Sequence, residues 1–181
     1  MSLLIQVEPL EHMIDEMMEL SKQHAEEVAN AALAHPDIIV NPSWGSMLAL
    51  ARIGLFMAVV VRRDGELVGY ATWLLAPDLH RTLADGKPIL AAMDDAHYLA
   101  PDARGPRTAL RLFMEAEAEL RLRGVRKLSV HTKSHLSQER LFSALGYARD
   151  DVIMTKYLDP LPAIVATGEN EPEGALSAAA E

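Results

Sequence analysis

The chain has 181 residues, half of them apolar and 24% charged, a globular composition that excludes a disordered or low-complexity protein. It contains no cysteine, which excludes disulfide staples, thiolate metal sites and a cysteine nucleophile together. Its 17 basic and 26 acidic residues give a net charge of −9, which disfavours non-specific nucleic-acid binding and favours cationic or amine partners.

The opening stretch has no basic n-region and meets acid early at Glu8 and Glu11, unlike a signal peptide. No apolar run approaches the roughly 20 residues of a membrane span. A soluble, cytoplasmic protein is the expectation. Leu3–Val7 reads as a strand. From Pro9, apolar residues recur at Leu10, Met13, Ile14, Met17, Met18, Ala25, Val28, Ala29 and Ala32, the helical period. His35-Pro36 ends that stretch. The Met-rich face of this helix is expected to be core or a dimer face. Ser43 is placed to cap a second short helix running to Ile53.

The period then changes. Leu55–Val61 and Leu67–Leu75 are apolar runs on either side of Asp64-Gly65, the pattern of an antiparallel hairpin. Pro77–Pro88 reads as polar and irregular, with a helical turn over Leu79–Ala84. Ile89–Leu99 is a strand that carries two acids, Asp94 and Asp95, inside an apolar run. A helix is predicted over Arg107–Arg123, ended by Gly124. A strand follows at Lys127–Thr132, a helix at Leu136–Leu145 and a last strand at Val152–Leu158. The order β-α-α-β-β-β-α-β-α-β implies an α/β mixed sheet with helices on its faces. Residues 1–160 form one expected domain. Residues 161–181, rich in Ala, Glu, Gly and Pro with four acids and no base, form an expected disordered tail.

Seven of the 17 bases lie between Arg104 and Lys127, a basic island suited to phosphate. Arg104-Gly105-Pro106-Arg107-Thr108-Ala109 stands at the start of a helix, where unpaired amides and the dipole favour an anion. Taken alone, the stretch also reads as a Gly-Pro bend with solvated arginines.

The run Tyr98-Leu99-Ala100-Pro101-Asp102-Ala103-Arg104-Gly105, the helix closing at Arg123-Gly124, and the ending Leu141-Phe142-Ser143-Ala144-Leu145-Gly146-Tyr147 together resemble the GNAT superfamily of acyl-CoA N-acyltransferases. The resemblance covers roughly Leu3–Leu158. It implies a pair of central strands that splay apart, with the pantetheine arm of acetyl-CoA lying in the gap and pairing near Tyr98 and Leu99. It places the diphosphate on the amides of Gly105, Arg107, Thr108 and Ala109, beside Arg104. His135 and Phe142 fall at coenzyme-facing positions. Arg107 stands where the family has its second glycine and is expected to supply a charge-assisted bond to phosphate. Phe142 replaces the family's tyrosine acid, and His135 its asparagine.

Amine acylation needs a base for the ammonium, a donor for the carbonyl oxygen and a proton for the thiolate. Asp94, Asp95 and His97 are the expected base candidates. On a regular strand Asp95 and His97 share one face and Asp94 takes the other. A solvated sheet end is the alternative for these acids. His131 and His135 are further candidates. Tyr147 or Tyr98 is the candidate acid, with water as the alternative. Trp44, Trp73, Asp78 and His80 are expected acceptor contacts, and no metal site is expected.

The implied activity is acetyl transfer from acetyl-CoA to a primary amine, on a small molecule or a protein, by direct attack. Two other readings are kept. One is a catalytically impaired coenzyme-binding or structural member of the fold, of the kind phages encode, suggested by Phe142 and Arg107. The other is a tRNA-directed acylating toxin, disfavoured by the acidic body. Neither nucleic acid nor membrane is expected as a partner, and a homodimer is allowed.

Overall fold

A computed structural model describes residues 3–28, 41–133 and 137–157. The expected helix end at His35-Pro36, His135 and the tail from residue 161 lie outside the described residues.

Five strands form one sheet in the order β1 (Leu3–Val7), β2 (Phe56–Arg63), β3 (Glu66–Thr82), β4 (Pro88–Leu99) and β5 (Val125–Ser129). The first three pairings are antiparallel and β4–β5 is parallel. Helices α1 (Ile14–Val28) and α2 (Trp44–Arg52) cover one face; α3 (Pro106–Leu122) and α4 (Glu139–Ala144) cover the other.

The unbroken apolar run of β2 follows from this sandwich. Phe56, Ala58 and Val60 pack with Met13, Met17 and Leu20, while Met57, Val59 and Val61 pack with Trp73, Leu112 and Phe113. A strand covered on both faces has no polar side to alternate with. Met13 and Met17 are thereby core residues, whereas Met18 is exposed. The β2–β3 turn uses Asp64 and Gly65, both at positive φ, as the Asp-Gly pair predicts. Gly124 ends α3 at φ 83°, with its N–H on the Arg121 carbonyl at 3.1 Å.

Two expectations need correction. Residues 77–82 are not helical: they continue β3 to Thr82 through an irregular register between Pro77 and Thr82, and a tight turn returns the chain to β4 through Leu83 N–H on the Lys87 carbonyl at 2.8 Å. Cross-strand pairing of Pro77 with Leu90 and of Thr82 with Pro88 outweighs the turn propensity of the prolines. The segment Asp151–Tyr157 is not a strand either. Val152, Ile153 and Met154 are 71%, 62% and 89% exposed, and without a neighbouring strand their β-propensity has no ladder to join.

Candidate active site at the parting of two strands

The β4–β5 ladder runs from Leu90 opposite Val125 to Met93 opposite Ser129 and stops there. Beyond it, Asp94–Leu99 still pairs with β3 but has no strand on its other edge among the described residues. The parting has a local cause. Asp94, 3% exposed, takes the main-chain N–H of His131 on its Oδ1 at 2.6 Å, so a side chain receives what a parallel ladder would give to a main-chain carbonyl.

A β-bulge sits at the same place. Trp73 pairs with Asp94 and Thr72 with Ala96, leaving Asp95 as the extra residue. This overturns the regular alternation expected of the strand. Asp94 and His97 share the α3/α4 face, with His97 Nδ1 3.0 Å from Asp94 Oδ2. Asp95 turns the other way and accepts a bond from Thr72 Oγ1 at 3.2 Å. That hydroxyl also binds the Ala96 carbonyl and receives its N–H, both at 3.1 Å, clasping the bulge. Desolvation, more than any other influence, raises the Asp95 carboxyl above its ordinary range; neighbouring Asp94 adds to this, and the Thr72 bond and His131 oppose it.

On the α3/α4 face the His97 ring lies edge-on to Phe113 and Phe142, at 5.2 and 5.8 Å. Its Nε2 meets Gln138 Oε1, so both ring nitrogens are engaged within the protein. Gln138 is held in turn by its N–H on Thr132 Oγ1 at 2.7 Å. Phe142 is a core residue, packed against Phe113 at 5.1 Å and Tyr147 at 5.7 Å. The Tyr147 hydroxyl is buried without a hydrogen-bond partner. Its pKa is pushed up, first by burial and then by the charges of Glu117 and Asp94, which makes it a reluctant proton donor.

The opposite face carries Tyr70, Tyr98 and His24. His24 stacks on Tyr98 at 5.0 Å and its Nδ1 lies 2.8 Å from the Tyr70 hydroxyl. Burial lowers the His24 pKa to about 4, with His97 and Lys133 adding to the shift. Arg104 turns back over this cluster: its guanidinium lies 5.4 Å from the Tyr98 ring centre, bonds the Leu99 carbonyl at 2.8 Å and pairs with Glu27.

Gly105 is the N-cap of α3, followed by Pro106 at the first helical position, and no side chain caps this start. The Ala109 N–H is the first to close on the Gly105 carbonyl, at 3.1 Å. Arg107 is exposed and Thr108 half-buried beside it. Trp73 is fully buried against Phe113 and is closed to an acceptor, whereas Trp44 is half-buried on the α1/α2 core. Asp78 bonds the His80 N–H, Arg81 and Lys127. A cavity of about 480 Å³ between the C-terminal half of α3 and β5 opens at the other end of β5, away from the parting. No group of metal ligands occurs among the described residues.

The structure thus assembles Asp94, His97, His131 and Gln138 at one point. Asp94 and His97 were foremost in the sequence and His131 was a further candidate; Gln138 was not singled out. The acid doublet inside an apolar strand was the available signal; nothing local marks Gln138, His24 or Tyr70.

No protein family profile and no curated protein sequence matches the chain. Solved structures do. An acetyltransferase of Trypanosoma brucei aligns over 87% of this chain and 100% of its own, at 17% identity and a TM-score of 0.63. Glucosamine-6-phosphate N-acetyltransferase from Arabidopsis thaliana aligns over 88% and 100%, at 11% identity and 0.63. A predicted acetyltransferase from Clostridium acetobutylicum, solved with acetyl-CoA, aligns over 86% and 96%, at 11% identity and 0.66. At these identities the likeness is one of architecture: the chain has the fold of the GNAT acetyltransferases.

Proposed function

We propose that the protein transfers an acetyl group from acetyl-CoA to an amine by direct attack. The observation that carries this reading is the edge of β4 from Asp94 to Leu99, which no described strand covers and whose end carbonyls are met by the His131 ring and Arg104, leading from the bulge to the uncapped start of α3. The five residue steps from Asp94 to Leu99 span about 17 Å, on the order of an extended pantetheine arm. An extended amide-bearing arm adds to such an edge as a strand does. The diphosphate then meets the amides of Gly105, Arg107 and Thr108, the Ala109 N–H being taken by the Gly105 carbonyl, with the Arg107 side chain supplying charge in place of the N–H that Pro106 lacks. For Arg104 to join, its guanidinium must leave Glu27.

Asp95, on the α1/α2 face of the bulge, draws the ammonium of the acceptor to the thioester. Because the Tyr147 hydroxyl is buried and its pKa raised, the proton for the departing thiolate comes from the attacking nitrogen or from water.

Titrating acetyl-CoA against the thermal midpoint, and following thiol release with a panel of amines, tests the proposal. The midpoint is expected to rise with concentration, and Arg107→Glu to weaken that rise. A midpoint indifferent to millimolar acetyl-CoA would sink the reading. A rise without thiol release from any amine would favour the coenzyme-binding reading, which the core placement of Phe142 supports.

A further inference from the structure

We infer that His131, oriented by Asp94, is the group that takes the proton from the acceptor amine; this rests on the transferase reading above. The argument is one of hydrogen-bond valence. His131 Nδ1 lies 2.8 Å from Asp94 Oδ1 and 3.1 Å from the Asp94 main-chain carbonyl. A carbonyl oxygen only accepts, so Nδ1 carries the hydrogen whatever the state of the carboxyl. In the neutral ring Nε2 is then the lone-pair nitrogen. No hydrogen bond to His131 Nε2 occurs among the described residues, and the side chain is 38% exposed. The His131 main-chain N–H is bound by the same carboxylate at 2.6 Å, so backbone and ring are fixed together.

His97 shares Asp94 but differs where it matters. Its Nε2 is occupied by Gln138 and its ring is walled by Phe113 and Phe142. It acts as a positioning residue that holds Asp94 from the second oxygen. His131 stands beside the bulge, where the β4 edge becomes free and the thioester end of the pantetheine arm falls.

The proton balance closes without a tyrosine acid. The acceptor ammonium gives one proton to His131 Nε2, and the imidazolium is stabilised by Asp94. The free amine attacks the thioester carbon, forming the C–N bond. As the C–S bond breaks, the second nitrogen-bound proton passes to the thiolate sulfur, leaving the amide and coenzyme A thiol. His131 then returns its proton to solvent.

The test reads ring nitrogens and reactivity in the full-length protein. Long-range proton–nitrogen NMR is expected to show His131 as the Nδ1–H tautomer, kept in Asp94→Asn because the main-chain carbonyl of residue 94 still accepts. Diethyl pyrocarbonate, which acylates unprotonated imidazole nitrogen, is expected to modify His131 well before His97, and saturating acetyl-CoA to protect it. His131→Gln should keep the acetyl-CoA-induced rise in thermal midpoint while lowering amine-dependent thiol release by about 10²-fold. An Nε2–H tautomer, or His131 equally reactive with acetyl-CoA bound, overturns the inference while leaving the transferase reading standing. Absence of any acetyl-CoA-induced rise removes the transferase reading and this inference with it, and the tautomer result tells the two failures apart.

Discussion

Gly69 shows how little room the β3–β4 ladder leaves. A Cβ there would stand 2.4 Å from Leu99 Cδ2 and 2.9 Å from the Tyr98 carbonyl oxygen. The leucine tip has freedom to move; the carbonyl moves only if the ladder opens. Gly69→Ala is expected to cost about 1–3 kcal/mol in urea unfolding, as overpacking does. His24 makes a second residue-scale case. Folded, it binds a proton only near pH 4; unfolded, near its ordinary 6.5. Between those values the unfolded state holds more protons, so stability falls as pH drops through that window. His24→Gln should flatten the pH dependence of the unfolding midpoint there. Neither residue is conspicuous in the sequence. A glycine in an apolar run and a histidine in a helix carry no mark of the neighbours that constrain them.

At the scale of elements, Arg62 ties β2 to the exit of β1 and to α1. Its guanidinium bonds both oxygens of Glu8, at 2.7 and 2.8 Å, and both of Glu16, at 2.9 Å each. The arginine's hydrogen bonds lower both carboxyl pKa values below the ordinary 4.5 against an opposing desolvation. The stability they contribute is complete above pH 4.5 and is lost as pH falls through their lowered values. Arg62→Met is expected to destabilise by about 1–3 kcal/mol at neutral pH and to weaken the acid dependence below pH 4.5. Element type and order were legible from β1 to α4 because each strong period had a face to bury. The extension of β3 to Thr82 was not, since Pro77 and Asp78 signal a turn, whereas pairing of Pro77 with Leu90 and of Thr82 with Pro88 carries β3 on past an irregular register. Val152-Ile153-Met154 misled in the other direction, an apolar run with no strand beside it.

The whole molecule is two cores on a shared sheet. Val59 and Val60 are both fully buried, yet one faces α3 and the other α1. Adjacent residues of one strand cannot release separate cores independently. Far-UV circular dichroism and the fluorescence of buried Trp73 are expected to report one coincident unfolding transition; two resolved transitions would contradict that coupling. The proposed site lies where the sheet parts, and the signals for it in the sequence are the acid doublet and the glycine before α3. Its wiring was not legible, because the partnership of Asp94 with His97 and His131 depends on a strand irregularity and on a chain segment 37 residues away.

The single surplus residue at Asp95 acts as a phase switch for everything after it in β4. Were the strand regular with every residue kept, alternation from Asp94 onward would send His97 toward the methionine-lined side and Tyr98 toward Phe113. Imidazole and phenol would trade chambers without a change in either residue. Deleting Asp95 would instead leave Asp94 opposite Trp73 and Ala96 opposite Thr72, a regular ladder with both rings in their present chambers, so this strand is sensitive to residue number as well as residue kind.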